Sequence, residues 1–205
     1  MSLVTDVDGE ELGRDFVTRR RGQTFDRLRA EDAVSELLAA LGRDLADPDL
    51  VDTPRRVAAS YRELLERDPL TMTAFPNESG YDDLVLVRDI PFTSLCAHHL
   101  LPFRGVAHVG YLPAAQLLGL SKLARVVEYF ARDLQLQERL TVQIADRLEE
   151  ELAPRGVGVV LEAEHLCMSI RGVQAAGART RTSRFTGALA PSGNEHFAAA
   201  ASRRD

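Results

Sequence analysis

The sequence feature that most constrains the fold is the stretch Cys96-Ala97-His98-His99, which holds a thiol and two imidazoles within four residues. A Cys-x-x-His spacing lets both side chains reach one zinc ion from a tight turn. Two ligands do not complete a zinc site, because such sites use three or four protein ligands. Either the fold brings another ligand to this stretch from elsewhere in the chain, or the stretch is a loop cysteine beside two solvated histidines.

The second of the two cysteines, Cys167, lies within a β-prone run at residues 157–171. Side chains alternate between the two faces of a strand. A strand over the whole run would therefore present four polar side chains on one face, namely His165, Cys167, Ser169 and Arg171. We predict that this strand carries the third ligand, together with a further histidine and an arginine.

Three ligands from these stretches would form a catalytic rather than a structural zinc site. Cys96, His99 and Cys167 leave a fourth position for water, whereas structural sites are closed by a fourth Cys or His. His98 could close the site, although its neighbour His99 would then have to reach the same ion. Otherwise His98 and His165 are free imidazoles placed for acid–base chemistry, or hydrogen-bonded structural histidines.

The composition is that of a soluble protein with one domain, or one domain and a helical appendage: 205 residues, 45% hydrophobic and 27% charged. The net charge of −6 argues against a general nucleic-acid binder, and an anionic ligand would need a local cluster of Arg and Lys. No apolar run approaches the roughly 18 residues of a membrane span, and the acidic N-terminus lacks the apolar core of a signal peptide. We therefore expect a cytoplasmic protein without nucleic-acid or membrane partners, whose cysteines are ligands rather than a disulfide.

The sequence pattern divides the chain into four regions. These are a mobile arm (1–29), an N-terminal helical region (30–68), a main domain (69–187) and a loose Ala-rich tail (188–205). In the helical region, Thr53 is the predicted N-cap of a second helix, with Pro54 at its first position. The apolar residues at helical spacing in this second helix are predicted to form a buried stripe; they are Val57, Ala58, Tyr61, Leu64 and Leu65.

The order of elements in the main domain favours the α+β class. Strands are predicted at residues 84–90 and 105–112, then two consecutive long helices, then strands at 157–171 and near 180–183. Strands at both ends of the domain and helices between them predict an antiparallel sheet with the helices on one face.

The starts of the two long helices carry charged residues of opposite sign. Ser121 is the predicted N-cap of the first helix, and Lys122 and Arg125 follow in its first turn. Cations oppose the helix dipole at that end, so the pair indicates an anion site unless both are ordinary exposed cations. Glu138, in the first turn of the second helix, suits the dipole without any further role.

Several of these segments together resemble the GTP cyclohydrolase I family. The matching segments, which run in the family's order, are residues 52–57, 94–103, 119–125, 135–141 and 165–172. The resemblance extends over about residues 30–187 and implies a tunnelling fold (T-fold), in which sheets of neighbouring subunits close into a barrel. It also implies a toroidal homodecamer with sites between subunits. The implied reaction is hydrolysis of GTP at C8, loss of C8 as formate, and rearrangement to 7,8-dihydroneopterin triphosphate, the first step of pterin and folate biosynthesis.

The resemblance also implies a role for each matching residue. The implied zinc ligands are Cys96, His99 and Cys167, and the implied acid–base residues are His98 and His165. The implied substrate-binding residues are Glu138 for the guanine edge, Gln137 and Ser121 beside the substrate, and Lys122, Arg125 and Arg171 for the triphosphate.

This chain departs from the family pattern at Ala97, where the family usually has Glu. Loss of a carboxylate beside metal ligands typically costs about 10–100-fold in metal affinity or activity. All the other matching residues are present, which favours retained GTP chemistry. A divergent cyclohydrolase with an altered rate, product or purine substrate is the alternative within enzymes. A non-catalytic T-fold protein that keeps zinc and nucleotide binding is the alternative outside them.

Overall fold

The computed structural model describes residues 25–190 together with Glu195 and Phe197. The predicted mobile arm therefore lies almost wholly outside the described residues. Where the description begins, the chain is already close to a helix, because α1 spans Arg27–Ala40 and its N-cap Asp26 accepts a hydrogen bond from Arg29 N–H at 3.1 Å. The helical region thus starts before residue 30.

The remaining elements follow in chain order. They are α2 (Thr53–Leu65), β1 (Ala74–Pro76), β2 (Val85–Cys96), β3 (Pro102–Leu112), β4 (Gln116–Leu118), α3 (Leu120–Ala131), β5 (Leu134–Gln135), α4 (Gln137–Leu152), β6 (Gly156–His165), α5 (Leu166–Ser169) and β7 (Thr180–Phe185). A 3-10 turn at Gly187–Leu189 follows β7. No helix in the described part of the chain is long and apolar enough to cross a membrane.

The main sheet has five strands in the order β5-β2-β3-β6-β7. The pairings of β2 with β3, β3 with β6 and β6 with β7 are antiparallel, and only the short β5 runs parallel to its neighbour β2. The consecutive helices α3 and α4 cover one face of this sheet, where their buried side chains meet those of the strands. The predicted α+β fold, with an antiparallel sheet and two consecutive helices on one face, is confirmed, and it is the architecture expected of a T-fold.

The N-terminal helices are far less buried than these two. The described part of α1 buries no residue, and α2 buries only Ala58. The prediction of a buried stripe on α2 is wrong for its other four members, which are partly exposed. The N-cap of α2 is Asp52 rather than Thr53, which is the first helical residue. The helix nevertheless contacts the main domain, because Tyr61 donates a hydrogen bond to Leu100 O at 3.1 Å.

The predicted long strand at residues 157–171 is wrong beyond His165. The pairing of β6 with β3 ends at the partners Phe103 and His165, and β3 itself begins at Pro102, which has no N–H to donate. Beyond this point β6 has no strand to pair with on that side, and backbone groups need partners. The chain satisfies them locally by turning into α5, where Ile170 N–H donates to Leu166 O at 3.2 Å.

The strands β2 and β3 are longer than predicted. β2 includes Pro91. A proline cannot donate a backbone hydrogen bond to a neighbouring strand, so in a central strand it predicts that the strand ends. At Pro91, however, β2 has only one neighbour, because β5 pairs with it at Leu95 and Cys96 alone. A proline is tolerated at such an edge, so β2 continues to Cys96 and places this residue at the end of the sheet.

The C-terminal segment differs from the predicted loose tail at Phe197. The side chain of Phe197 is 0% exposed, and its ring packs edge-on against Phe185 with a centroid distance of 5.3 Å. Together with Val160 and Leu189 it forms a small apolar cluster on the sheet face opposite the main core.

Candidate metal centre and active site

The turn after β2 brings Cys96 and His99 together. Cys96 O accepts hydrogen bonds from the N–H groups of His99 at 3.3 Å and Leu100 at 2.9 Å, and Leu100 adopts the left-handed region with φ of 55°. The chain reverses within these few residues. As a result His99 Nδ1 lies 3.7 Å from Cys96 Sγ.

Cys167 reaches the same place from α5 rather than from a strand. Its side chain is 8% exposed, and the ligand atoms of Cys96, His99 and Cys167 all lie within 4.8 Å of one another. The predicted meeting of these three residues is therefore confirmed, although the predicted shared strand face that led to it is wrong. His98 does not belong to this group, which leaves three ligands rather than a closed set of four.

The chemistry of this group fits a zinc ion. Two sulfurs and one imidazole nitrogen are donors that zinc prefers, and tetrahedral bonds of about 2.0–2.3 Å separate neighbouring ligand atoms by roughly 3.5 Å, close to the Cys96–His99 separation. Burial, and after it the neighbouring Cys96 thiol, raise the pKa of Cys167. The Cys167 thiol therefore resists ionisation, and a bound cation would favour its thiolate form.

Arg171 lies beside the three candidate ligands. Its Nη1 is 3.4 Å from His99 Nε2, and it donates a hydrogen bond to Cys167 O at 3.3 Å. This anchoring just after α5 places the Arg171 guanidinium next to the candidate metal ligands. Arg171 therefore lies close to Cys167 as predicted, although not on a shared strand face.

His165 is the last residue of β6, and its ring is held at one face and at one nitrogen. The ring stacks on Phe103 with a centroid distance of 4.5 Å and an interplanar angle of 2°, and its Nε2 lies 2.7 Å from Gln137 Oε1. Burial lowers the pKa of His165, while the carboxylate of Glu138 acts in the opposite direction. The imidazole is thus held in the neutral form at neutral pH.

His98 has a different environment from His165. It lies exposed in the turn, and its ring meets that of His99 edge-on at a centroid distance of 6.2 Å. An exposed imidazole next to a metal ligand can exchange protons with solvent or with a bound molecule. Ala97, also exposed, uses its backbone N–H to bind Gln135 O at 3.0 Å.

The start of α4 is fixed next to this turn by β5. Leu134 and Gln135 pair with Leu95 and Cys96, and α4 begins two residues later at Gln137. Glu138 is exposed in the first turn of α4, near enough to His165 to influence its pKa.

Gln137 differs from the expectation that it lies beside the substrate. Its side chain is 1% exposed and points into the protein, where its amide nitrogen donates to Leu161 O at 3.2 Å and Thr180 O at 3.0 Å. In the chain as described, Gln137 contacts His165 and the sheet.

Ser121, Lys122 and Arg125 lie at the other end of the sheet. The start of α3 is tied there, because Leu118 N–H donates to the Tyr111 hydroxyl at 2.7 Å, and Tyr111 pairs with the start of β6 rather than its end. The end of α3 instead lies at the end of the sheet that carries the candidate metal ligands, where Ser94 Oγ donates to Ala131 O at 2.6 Å. A helix of this length spans about 18 Å, so Ser121 and Lys122 at its start lie well away from His165 in one chain, and Arg125 lies about one turn further along the helix.

The N-cap of α3 also differs from the prediction. Ser121 is not the N-cap of α3; Gly119 holds that position without any side-chain hydrogen bond. The helix start therefore carries no side-chain acceptor that would satisfy its free N–H groups, and it retains the two cations.

Three residues around His165 were missed by reasoning from the sequence. Phe103 stacks on the His165 ring, and Thr141 and Thr182 form a hydroxyl pair at 2.7 Å beneath Gln137. Phe103 lies in residues 94–103, one of the segments that match the family, so this match could have indicated that Phe103 belongs to the site. The two threonines lie 41 residues apart in sequence, and no local pattern links them.

The chain is similar to known proteins over most of its length. The family model described as GTP cyclohydrolase I matches residues 30–201. A GTP cyclohydrolase 1 from Streptomyces coelicolor is 54% identical over 170 residues, which cover 80% of this chain and 85% of that protein. Those from Allorhizobium ampelinum and Mycobacteroides abscessus are 52% identical over 166 residues (78% and 83% covered) and 53% identical over 171 residues (81% and 84% covered).

Among solved structures, the crystal structure of the archaeosine synthase QueF-Like in the apo form aligns with a TM-score of 0.43 and 17% identity, over 51% of this chain and 93% of that one. The family match and the identities to the curated relatives lead to one conclusion. The chain belongs to the GTP cyclohydrolase I family.

Proposed function

We propose that this protein hydrolyses GTP at C8, releases C8 as formate and rearranges the product to 7,8-dihydroneopterin triphosphate, which begins pterin and folate biosynthesis. The observation that carries the proposal is the grouping of Cys96, His99 and Cys167, with His165 directly before the short helix that carries Cys167. A metal-ligand set next to a neutral, oriented imidazole suits hydrolysis of a purine ring.

Cys96, His99 and Cys167 would hold zinc in the proposed enzyme. When bound with an open position, zinc lowers the pKa of water to about 7 and polarises a substrate atom. The two imidazoles then divide the proton transfers. His165, neutral by burial, takes up or delivers a proton within the protein, and the exposed His98 does so at the turn.

Glu138 is the proposed guanine-binding residue. A carboxylate accepts hydrogen bonds from both N1–H and the exocyclic amine of guanine, and adenine cannot offer this pair of donors. The exposed position of Glu138 in the first turn of α4, near His165, supports this role. Selectivity for GTP over ATP follows from it.

Lys122, Arg125 and Arg171 are the proposed triphosphate-binding residues, with Ser121 beside them. Arg171 lies at the metal group, whereas the other three lie at the far end of the sheet. We infer that Ser121, Lys122 and Arg125 of a second copy complete the site, in a homo-oligomer that the family resemblance implies to be a toroidal decamer. Cations at a helix start with an open N-cap are then explained by a bound anion.

We also propose a cytoplasmic location. Both cysteines are free, and the proposed zinc site needs them reduced, which a reducing compartment maintains.

The experiment incubates zinc-loaded protein with GTP and measures formate together with the fluorescence of oxidised neopterin. We expect both products from GTP and neither from ATP, and a His165→Ala variant with unchanged zinc content should form little of either. Absence of product at high concentrations of zinc-loaded enzyme would overturn the proposal.

A further inference from the structure

The hydrogen bond between Gln137 and His165 assigns a definite protonation pattern to the imidazole. We propose that Gln137 is a positioning residue that fixes His165 as the tautomer protonated at Nε2, so that Nδ1 is the atom that takes up and releases the catalytic proton. This inference rests on the proposed function, because it assigns the atom through which His165 acts. The argument starts from the orientation of the Gln137 side-chain amide.

The Gln137 amide can adopt only one orientation in its surroundings. Its Nε2 lies within hydrogen-bond distance of two backbone carbonyl oxygens, those of Leu161 at 3.2 Å and Thr180 at 3.0 Å. The reverse orientation would place the amide oxygen against these two carbonyl oxygens. None of the three oxygens can donate a hydrogen bond. Since the side chain is 1% exposed, no bulk solvent compensates for that arrangement. Oε1 must therefore face His165.

The hydroxyl pair next to the amide is consistent with the same orientation. Thr141 Oγ1 donates to Gln137 O at 2.8 Å, and this uses its only proton. Thr182 must then donate across the 2.7 Å contact to Thr141. The lone pairs of Thr182 remain free to accept from Gln137 Nε2 at 3.2 Å. In this arrangement both hydroxyls and the Gln137 amide nitrogen donate to acceptors.

With the amide fixed, the imidazole has one tautomer that fits. Gln137 Oε1 can only accept, so His165 Nε2, 2.7 Å away, must donate its proton. In the neutral ring Nδ1 then carries the lone pair. Stacking on Phe103 fixes the plane of the ring.

The network joins three elements of the fold. Gln137 and Thr141 come from α4, Leu161 and His165 from β6, and Thr180 and Thr182 from β7. The last strand therefore contributes to the site without contacting His165 itself. Thr180 O and Thr182 Oγ1 of this strand accept hydrogen bonds from the Gln137 amide, which in turn binds His165.

The first test measures the tautomer directly in the zinc-loaded protein. Imidazole nitrogen shifts are recorded by solid-state NMR on protein labelled with ¹⁵N-histidine, and the His165 signals are identified by their loss in His165→Asn. We expect a protonated Nε2 and an unprotonated Nδ1 at neutral pH. The opposite tautomer in the wild-type protein would overturn the inference, whatever any variant does.

Two variants test whether Gln137 is the cause. Gln137→Met keeps the side-chain length but removes the acceptor; we expect a mixture of both His165 tautomers and a fall in kcat of about 10–100-fold, with KM for GTP changed less than about twofold. The matched control Thr182→Val removes one acceptor of the amide nitrogen and leaves Oε1 untouched, so the tautomer should remain. If Gln137→Met binds zinc normally and keeps a single tautomer, the inference is wrong.

These outcomes are distinguishable from failure of the proposed function. If His165→Asn turned over GTP at the wild-type rate, the acid–base role of His165 would be wrong, and the NMR signals would still report the tautomer. If His165→Asn is inactive but the wild-type protein shows Nδ1–H, only the inference fails. Should Gln137→Met not fold, the wild-type spectrum still tests the inference, because Nδ1–H there would overturn it.

Discussion

At the scale of single residues, the two adjacent histidines of the turn after β2 face different partners. His99 directs Nδ1 towards Cys96 at 3.7 Å and belongs to the three-residue group that can hold a metal. His98 is exposed and outside that group. The two neighbours therefore differ in whether they belong to the group that could hold a metal, and the proposed function gives them different roles.

This contrast predicts opposite results for the same substitution at the two positions. His99→Asn removes one of three ligands and should lose at least about 10-fold in zinc affinity, because two protein ligands are fewer than zinc sites normally use. His98→Asn should keep one zinc per chain and lose at least about 100-fold in kcat, the typical contribution of an acid–base group. Zinc content by atomic absorption and GTP turnover measure the two effects. Equal zinc loss in both variants would contradict the separation of roles.

At the scale of elements, the sequence predicted the order and type of most helices and strands, and it failed where tertiary contacts decide. Periodicity predicted α3 and α4 because each has an apolar stripe that packs on the sheet. The end of β6 could not be read from its own residues, because it depends on β3 beginning at Pro102. The meeting of Cys96 with Cys167 was predicted from ligand chemistry together with a strand face that the structure does not contain, whereas the inward orientation of Gln137 depends on β7, which is distant in sequence.

The bulge between β2 and β3 holds a buried histidine that the proposed reaction does not use. His108 is 4% exposed, and its Nδ1 accepts a hydrogen bond from Asp89 N–H at 3.3 Å, where Asp89 adopts a φ of 56° in the irregular register between Val87 and Ile90. Burial lowers the pKa of His108, more than the nearby charges of Asp89 and Glu162 raise it; those of Arg88 and Arg181 lower it further.

This histidine should make the protein sensitive to acid. Its pKa is lower in the folded chain than the ordinary value of about 6.5, so the unfolded chain binds the proton first as the pH falls. The free energy of unfolding should therefore decrease from about pH 6.5 downwards. In His108→Gln, which keeps an acceptor but does not titrate, urea titrations at about pH 7.5 and about pH 5.5 should show a smaller decrease. An unchanged pH dependence in the variant would contradict this.

The apolar cluster around Phe197 gives a further prediction at the scale of elements. Phe197 is fully buried against Phe185, and a Cβ added at Gly158 would lie only 2.5 Å from its ring. Phe197→Ala should lower the free energy of unfolding by about 3 kcal/mol or more, and Gly158→Ala should lower it as well by displacing the ring. The matched control Phe75→Ala, at a side chain that is 55% exposed, should change it by less than about 0.5 kcal/mol. Urea denaturation compares the three, and a Phe197→Ala variant as stable as the control would show that the ring contributes nothing.

At the scale of the whole molecule, the separation of the residues predicted for the active site is itself informative. The candidate metal ligands, His165 and Glu138 lie at one end of the sheet, whereas Ser121 and Lys122 lie at the start of α3, which Tyr111 and Leu118 anchor at the other end. Arg125 lies about one turn further along the helix. The proposed site between two copies would place the start of α3 in one copy opposite the candidate metal ligands of the other.

A mixing experiment tests this arrangement in solution. His165→Ala and the double variant Lys122→Ala/Arg125→Ala should each be nearly inactive alone, because each lacks one half of every site. After joint unfolding and refolding at equal amounts, a site formed between two chains has about a one-in-four chance of receiving both intact halves. The mixture should therefore recover about a quarter of wild-type turnover. A mixture of His165→Ala with His98→Asn, whose defects lie in the same half, should recover none, and equal recovery in the two mixtures would reject a site shared between chains.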